Sequence, residues 1–127
     1  MNIAIDTNAY SDFMRGDPDR VHIFRTAQRL CMPLIVLGEL RAGFAAGKLQ
    51  SNNAANLHRF LNTPRVSVLL PDEQTTHHYA QLYLYLRQHA SPIPSNDLWI
   101  GALTVQHRLV LCTSDARFQQ LPQLPRC

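Results

Sequence analysis

The amino-acid sequence predicts a small three-layer α/β domain with a mostly parallel sheet of four or five strands. Short apolar runs, several of them β-branched, alternate with longer segments in which apolar residues recur at helical spacing. Such alternation favours right-handed crossovers, with helices on both faces of the sheet. Because 127 residues with 46% hydrophobic content suffice for one core, we expect a single domain over residues 1–127 and exclude a disordered chain.

The first predicted strand is the apolar run from Asn2 to Ile5, which ends at an aspartate. Thr7 and Asn8 offer capping side chains for a helix through Met14. A Gly-Asp-Pro break ends this helix and begins a second one, from about Pro18 to Leu30. The first strand therefore delivers a carboxylate to one edge of the sheet, and two helices follow it.

The second predicted strand runs from Met32 to Val36 and is followed by a helix whose apolar periodicity continues to Phe44. Glu39 lies on this helix, shortly after the strand ends. A polar stretch then leads into a further helix around residues 57–61, and Val66 to Leu70 form the third predicted strand. The second β–α unit thus repeats the pattern of the first, with an acid just beyond its strand.

The long helix after Asp72 is the first element of the second half. Its periodicity predicts an inward face formed by Tyr79, Leu82, Tyr83 and Leu86. The opposite face would show Leu84 and Tyr85, either as a dimer or partner surface or as ordinary partial exposure.

A rigid Pro-Ile-Pro connector leads to the last predicted helix, which Ser95, Asn96 and Asp97 open. Trp99 follows on this helix and is expected to pack beneath the site, with base stacking as the alternative. Leu109 to Cys112 form the fourth strand, followed by a short helical turn. The segment from Leu121 to Cys127 contains two prolines and is expected to run along the surface.

Four of the nine acidic residues stand at boundaries of apolar elements, namely Asp6, Glu39, Asp97 and Asp115. Taken singly, each is better explained as a helix cap or a surface acid than as a site residue, because caps are common. Parallel topology, however, directs three of them to the carboxyl ends of strands, and the last helix brings Asp97 to the same edge. The sequence therefore predicts one cluster of four carboxylates.

Clustered carboxylates need cations. Two of them about 4 Å apart repel by roughly 4 kcal/mol at an effective dielectric constant of 20, so some would otherwise stay protonated. Oxygen-only ligands favour hard ions, which predicts Mg²⁺, with Mn²⁺ able to substitute. Because Mg²⁺ commonly bridges one or two carboxylates and a phosphate, the expected substrate is a phosphodiester.

Four short segments, in order and at family-like spacing, carry a resemblance that covers essentially the whole chain. They are Asp6-Thr7-Asn8, Leu37-Gly38-Glu39-Leu40 with Gly43, the run from Pro94 to Ile100, and Thr113-Ser114-Asp115 with Phe118. Together they resemble the PIN-domain ribonucleases, and more narrowly the VapC toxins of bacterial type II toxin–antitoxin pairs. The chain departs from the common pattern at Ser114, where relatives often have Asn, and at Arg117, where they often have His.

The resemblance implies an Mg²⁺-dependent endoribonuclease in which Asp6, Glu39, Asp97 and Asp115 surround the metal. Asn8 and Thr113 would be polar neighbours of this quartet. It also implies an RNA substrate, such as tRNA including the initiator, or a ribosomal loop. The expected partners are a small cognate antitoxin and a second copy of the chain, in a homodimer and a higher toxin–antitoxin complex. The antitoxin would pack on the helices that carry Phe13, Phe24 and Phe44.

Two other functions are weighed against the nuclease. A receiver-like signalling domain requires a lysine late in the chain, but the only lysine is Lys48. A PIN-like scaffold that binds RNA or protein without cutting remains an alternative, although retention of all four acids disfavours it.

Composition adds expectations about charge and compartment. Eleven of the twelve basic residues are arginine, and outside the acidic quartet twelve bases face five acids, which favours phosphate binding over a simple coding bias. Three cysteines form no CxxC pair, and no stretch is apolar enough to span a membrane, so we expect a reducing, cytoplasmic location.

Overall fold

The computed structural model describes residues 1–47, 50–89 and 91–127, so Lys48 lies outside the described residues. In these ranges four strands form one parallel sheet in the order β3-β2-β1-β4. The strands are β1 (Asn2–Ile5), β2 (Arg29–Pro33), β3 (Val66–Leu69) and β4 (Val110–Cys112). The helices are α1 (Thr7–Met14), α2 (Pro18–Thr26), α3 (Leu34–Ala46), α4 (Gln50–Leu61), α5 (Glu73–His89) and α6 (Ser95–Gln106), and a 3₁₀ turn spans Ala116–Gln120. The predicted α/β fold is confirmed.

The strand order creates a crevice between β1 and β4. From β1 to β3 the chain steps in one direction, and it then crosses back to place β4 on the free side of β1. Right-handed crossovers put α1 to α4 on one face of the sheet and α5 and α6 on the other. Connections therefore diverge at neighbouring strands β1 and β4, which is where parallel sheets bind their ligands.

The register fixes what meets at this crevice. Ile3, Ala4 and Ile5 are fully buried, as expected for a strand covered on both faces, and Ile5 pairs with Cys112 of β4. The next residues along the two strands are Asp6 and Thr113, and the Asp6 amide donates to the Cys112 carbonyl at 3.3 Å. Strand pairing thus brings an acid and a hydroxyl together.

The boundary between α2 and β2 differs from the expectation. The helix predicted to Leu30 ends at Thr26, and the strand predicted from Met32 to Val36 begins at Arg29 and ends at Pro33. Leu30 pairs with Ile3 on one side and Val66 on the other, which only a central strand position permits. A buried apolar run reads alike in a strand and in a helix, so sequence periodicity misplaced this boundary.

The prediction of which residues of α5 face inward was also partly wrong. Leu82 and Leu86 are buried as predicted, but Tyr83 is 48% exposed, whereas Tyr85, expected on the outer face, is half-buried against the core. Leu84 is 54% exposed, as predicted. Tyr79 is half-buried, with its ring centroid 4.5 Å from that of Trp99.

The segment after the 3₁₀ turn runs along the surface at four exposed positions, as predicted, but two leucines anchor it in the core, which was not expected. Leu121 and Leu124 are almost fully buried. The Leu111 amide donates to the Pro125 carbonyl at 2.8 Å, and the Cys127 amide donates to the Leu111 carbonyl at 2.9 Å. This segment therefore covers the outer edge of β4 by backbone pairing. Among the described helices, none is long and apolar enough to cross a membrane.

Candidate active site

A pocket of about 160 Å³ lies beyond the carboxyl end of β1. All four predicted acids line it, together with neighbouring side chains: Asp6, Thr7, Asn8, Glu39, Asp97, Ile100, Asp115 and Arg117. Four elements far apart in sequence supply these acids, which are the end of β1, α3, the first turn of α6 and the start of the 3₁₀ turn. The fold thus assembles the predicted cluster.

Asp6 is both the cap of α1 and the innermost acid of the pocket. Its Oδ1 accepts a hydrogen bond from the Ala9 amide at 2.8 Å, so Asp6, rather than Thr7 or Asn8, caps the helix. Its Oδ2 accepts a hydrogen bond from the Thr113 hydroxyl. Burial raises the pKa of Asp6, against the opposing effects of these two hydrogen bonds and the nearby Arg20 charge.

Thr113 connects two of the acids. Besides donating to Asp6, its Oγ1 accepts from the Asp115 amide at 3.0 Å. Of the two polar residues expected to support the site, Thr113 therefore contacts it directly. Asn8 lines the pocket from an exposed position on α1, with no side-chain hydrogen bond to another described residue.

Glu39 is held at the rim by residues beside the other acids. Its Oε1 accepts a hydrogen bond from the Thr7 hydroxyl at 2.9 Å, and its Oε2 is 3.5 Å from the Asn96 amide nitrogen. Thr7 follows Asp6 and Asn96 precedes Asp97 in the chain. The orientation of Glu39 is thus coupled to the two most buried carboxylates.

Asp97 has a buried carboxylate oxygen, Oδ2, that accepts no hydrogen bond from the described residues. The residue as a whole is 7% exposed. The nearest positive group is Arg117 Nε at 3.5 Å. Burial raises the pKa of Asp97, and the charges of Asp115, Glu39 and Asp6 raise it further, while Arg117 opposes them.

Asp115 forms the opposite wall and is paired with Arg117. Its Oδ1 caps the 3₁₀ turn by accepting from the Arg117 amide at 2.9 Å. Its Oδ2 accepts from Arg117 Nε at 3.0 Å and from Nη2 at 2.6 Å. These contacts lower the pKa of Asp115, so this acid is ionised ahead of Asp6 and Asp97.

Sequence reasoning missed the two arginines that balance this cluster. Arg117 was noted only as a departure from the family pattern, although its place two residues after Asp115 in a short turn is a usable signal. Arg20 on α2 is 9% exposed, and its Nη1 donates to Cys112 Sγ at 2.8 Å and to the Cys127 carbonyl at 3.3 Å. No pattern in the sequence marks Arg20 as buried.

The donor set fits a hard divalent cation. In residues 1–47, 50–89 and 91–127, no three carboxylate, histidine or cysteine side chains converge closely enough to form a ready-made metal centre. Mg²⁺ does not require one, because it keeps several waters and takes only one or two carboxylates. The Asp97 oxygen accepts no hydrogen bond within these ranges, and burial keeps the pKa of both Asp6 and Asp97 raised, so the nearby arginines compensate this anionic charge only in part. Asp6 and Asp97 would hold such an ion, with Glu39 and Asp115 around it.

Known proteins resemble this chain in sequence and in fold. The PIN domain model matches residues 3–124. The chain belongs to the PIN-domain family. This PIN domain is 33% identical to Ribonuclease VapC1 of Haemophilus influenzae (strain R2866) over 125 residues, which cover 94% of the chain and 92% of the relative. It is 29% identical to Ribonuclease VapC4 of Mycobacterium tuberculosis (strain ATCC 25618 / H37Rv), covering 87% and 82% of the two chains.

Solved structures agree with this membership. The PIN domain superposes on VapBC-1 from nontypeable Haemophilus influenzae with a TM-score of 0.84 at 28% identity, covering 100% of this chain and 97% of the other. DNA-bound VapBC from Salmonella typhimurium gives a TM-score of 0.86 at 24% identity, with coverage of 100% and 97%, and shows the same fold. The resemblance to VapC-type PIN-domain ribonucleases is confirmed.

Proposed function

We propose that the protein is a Mg²⁺-dependent endoribonuclease that acts as the toxin of a toxin–antitoxin pair, with Mn²⁺ able to replace Mg²⁺. The observation that carries this proposal is the buried Asp97 oxygen, which accepts no hydrogen bond from the described residues and lies in a pocket shared with three other acids. Relatives named ribonuclease, aligned over nearly the whole chain, supply the reaction class.

Each acid has a distinct role in this proposal. A bound divalent ion would supply Lewis acidity, which makes water more acidic and offsets the charge of a phosphodiester. Asp6 and Asp97 provide the buried ligands, and Thr113 keeps Asp6 oriented through its hydroxyl. Glu39, half-buried and held by Thr7, is placed to receive a proton or orient water at the rim. Asp115 closes the opposite side.

RNA is the proposed substrate because the pocket is acidic while the remainder of the chain is basic. Outside the four acids, twelve bases face five acids, and eleven of the bases are arginine, whose fork suits phosphate oxygens. The protein would hold the RNA backbone through arginines while one phosphate enters the pocket. Structured RNA such as tRNA, including the initiator, is the substrate class that we propose.

A small antitoxin is the proposed partner, because solved relatives carry the name VapBC and one is described as a toxin-antitoxin complex. A groove of about 320 Å³ on α1, α3 and α4 offers a place for an amphipathic helix, because Tyr10, Met14 and Phe44 share its lining with four polar residues. Phe24, which was expected to help form this surface, is instead buried, with the Phe13 ring stacked on it at 4.6 Å. A homodimer and a higher toxin–antitoxin assembly remain part of the proposal.

The nuclease is tested by incubating purified protein with a pool of structured RNA in Mg²⁺ and in EDTA. Wild type should cut only with the metal, and Asp6→Asn and Asp97→Asn should each reduce cleavage by about 100-fold or more, because each removes a ligand charge. Asp19→Asn, which neutralises an exposed acid of α2, is the matched control and should cut normally. Cleavage that persists in EDTA or in both pocket variants would overturn the mechanism.

The toxin assignment has a separate test in cells. Expression of wild type should arrest growth, and co-expression of the neighbouring reading frame should restore it. Arrest that also occurs with Asp97→Asn would show that toxicity does not depend on the pocket. If the neighbouring frame does not relieve an arrest that depends on the nuclease, the protein is a general nuclease and the toxin assignment is wrong.

A further inference from the structure

The guanidinium of Arg117 lies where a cation would be needed. Its Nε and Nη2 lie 3.0 and 2.6 Å from Asp115 Oδ2, and the same Nε lies 3.5 Å from Asp97 Oδ2. The contact with Asp97 is an ion pair without a hydrogen bond, so the Asp97 oxygen receives charge compensation and can still accept a ligand. One side chain of the protein itself thus spans two walls of the acidic pocket.

Arg117 is attached so that it can leave without rearranging the fold. Its side chain is 52% exposed, and its backbone belongs to a short 3₁₀ turn capped by Asp115. The next residue, Phe118, is 1% exposed and anchors the turn in the core. Rotation of the long arginine side chain therefore suffices to free the Oδ2 atoms of Asp97 and Asp115, while the Arg117 amide keeps its bond to Asp115 Oδ1 and the turn stays in place.

A divalent ion and Arg117 compete for the same charge. The pocket volume is only about 160 Å³, and the fixed guanidinium would repel a doubly charged ion that approaches Asp97. Because about half of the Arg117 side chain is exposed, water screens its pairing with the two carboxylates, and a doubly charged ion can displace it. The strength of the arginine pair would then set how much metal is required.

We propose that Arg117 is a displaceable internal cation, a positioning residue that compensates Asp97 and Asp115 before metal binds and lowers the metal affinity of the pocket. This inference rests on the proposed metal-dependent function. It predicts that a fraction of the metal-binding free energy is spent on moving one side chain. The Lys variant would retain the charge but lose the planar fork that contacts Asp115 at two nitrogens.

The test is a titration of the full chain with Mn²⁺, in which electron paramagnetic resonance measures the concentration of the free ion. This measurement requires no RNA. Arg117→Gln should bind Mn²⁺ about fivefold more tightly than wild type, equivalent to roughly 1 kcal/mol. Arg117→Lys should fall between the two. Arg25→Gln is the matched control, because Arg25 lies in the last turn of α2, which leads to the opposite edge of the sheet. The Arg25→Gln variant should bind Mn²⁺ with the same affinity as wild type.

The outcomes separate this inference from the proposed function. Equal or weaker Mn²⁺ binding by Arg117→Gln, with wild type binding normally, would overturn the role of Arg117 alone. A similar gain in Arg25→Gln would show a general charge effect and would also overturn it. Absence of Mn²⁺ binding by wild type, or undiminished binding by Asp97→Asn, would overturn the proposed metal site together with the inference.

Discussion

Replacing Thr113 by valine removes one hydroxyl from the base of the acidic pocket while preserving the shape of the side chain. That hydroxyl donates to Asp6 Oδ2 and accepts from the Asp115 amide at 3.0 Å. Asp6 is 4% exposed, so water cannot easily replace the lost donor. The variant would therefore leave a buried carboxylate with one fewer hydrogen bond.

The expected cost follows from the charge of the acceptor. A hydrogen bond to a charged group contributes about 1.5–3 kcal/mol, and we expect about 2 kcal/mol because Asp6 keeps its bond from the Ala9 amide. The Asp115 amide lies at a half-buried residue and can turn to water, so it adds little. For a chain of 127 residues this corresponds to a fall in Tm of roughly 8 °C.

The assay is thermal and urea unfolding of the metal-free protein at neutral pH. Ser114→Ala removes an exposed neighbouring hydroxyl and should change stability by no more than about 0.5 kcal/mol. In an Asp6→Asn background, the effect of Thr113→Val should shrink, because the acceptor is no longer charged. A Thr113→Val variant as stable as wild type, or the same loss in both backgrounds, would refute the reasoning about Asp6.

Two further predictions concern pH and packing. Burial raises the pKa of Asp97 above its usual 3.8, so ionising it costs folding free energy; metal-free Asp97→Asn should equal wild type in stability below about pH 3.8 and become the more stable of the two as pH rises to neutrality. Urea unfolding over a pH series measures this difference, and a constant gap at every pH would contradict it. Leu124 is 2% exposed, so Leu124→Ala should cost about 2–4 kcal/mol in the same unfolding assay, whereas an exposed segment would lose under about 0.5 kcal/mol.

The sequence predicted the site residues better than it predicted the boundaries of the helices and strands. Asp6 and Asp115 could be placed at one sheet edge because parallel topology directs the ends of strands there, and the pocket contains both. Each also caps a helical element, so the cap and the site interpretations of Asp6 and Asp115 were never exclusive. Local capping chemistry and long-range clustering use the same carboxylates.

The parts that could not be predicted depend on long-range contacts. Leu30 reads as the end of a helix until its two neighbouring strands are known, and Leu124 reads as a surface residue until Leu111 pairs with the chain beside it. The burial of Tyr83 and Tyr85 is the reverse of the prediction, because a small rotation of α5 about its axis decides which of the two rings faces the core. Such rotations are set by packing on α6, which periodicity alone does not contain.

The electrostatic partners of the acids were the other gap. Arg117 and Arg20 contribute positive charge to the cluster without metal, but Arg117 was noted only as a departure from the family pattern and Arg20 was not singled out at all. Their charge does not fully offset the burial of these acids, because the pKa of Asp6 and the pKa of Asp97 stay raised. The remaining deficit of positive charge is the physical basis for proposing a metal.

The most direct measurement of the central claim is the anomalous scattering of Mn²⁺ in crystals grown at concentrations that support RNA cleavage. The account predicts a peak in the pocket, bound by the carboxylates of Asp6 and Asp97, with Arg117 turned away from Asp97. The same crystals of Asp97→Asn should lack the peak. A wild-type crystal with no peak between these carboxylates, from protein that cleaves RNA under the same conditions, would contradict the account.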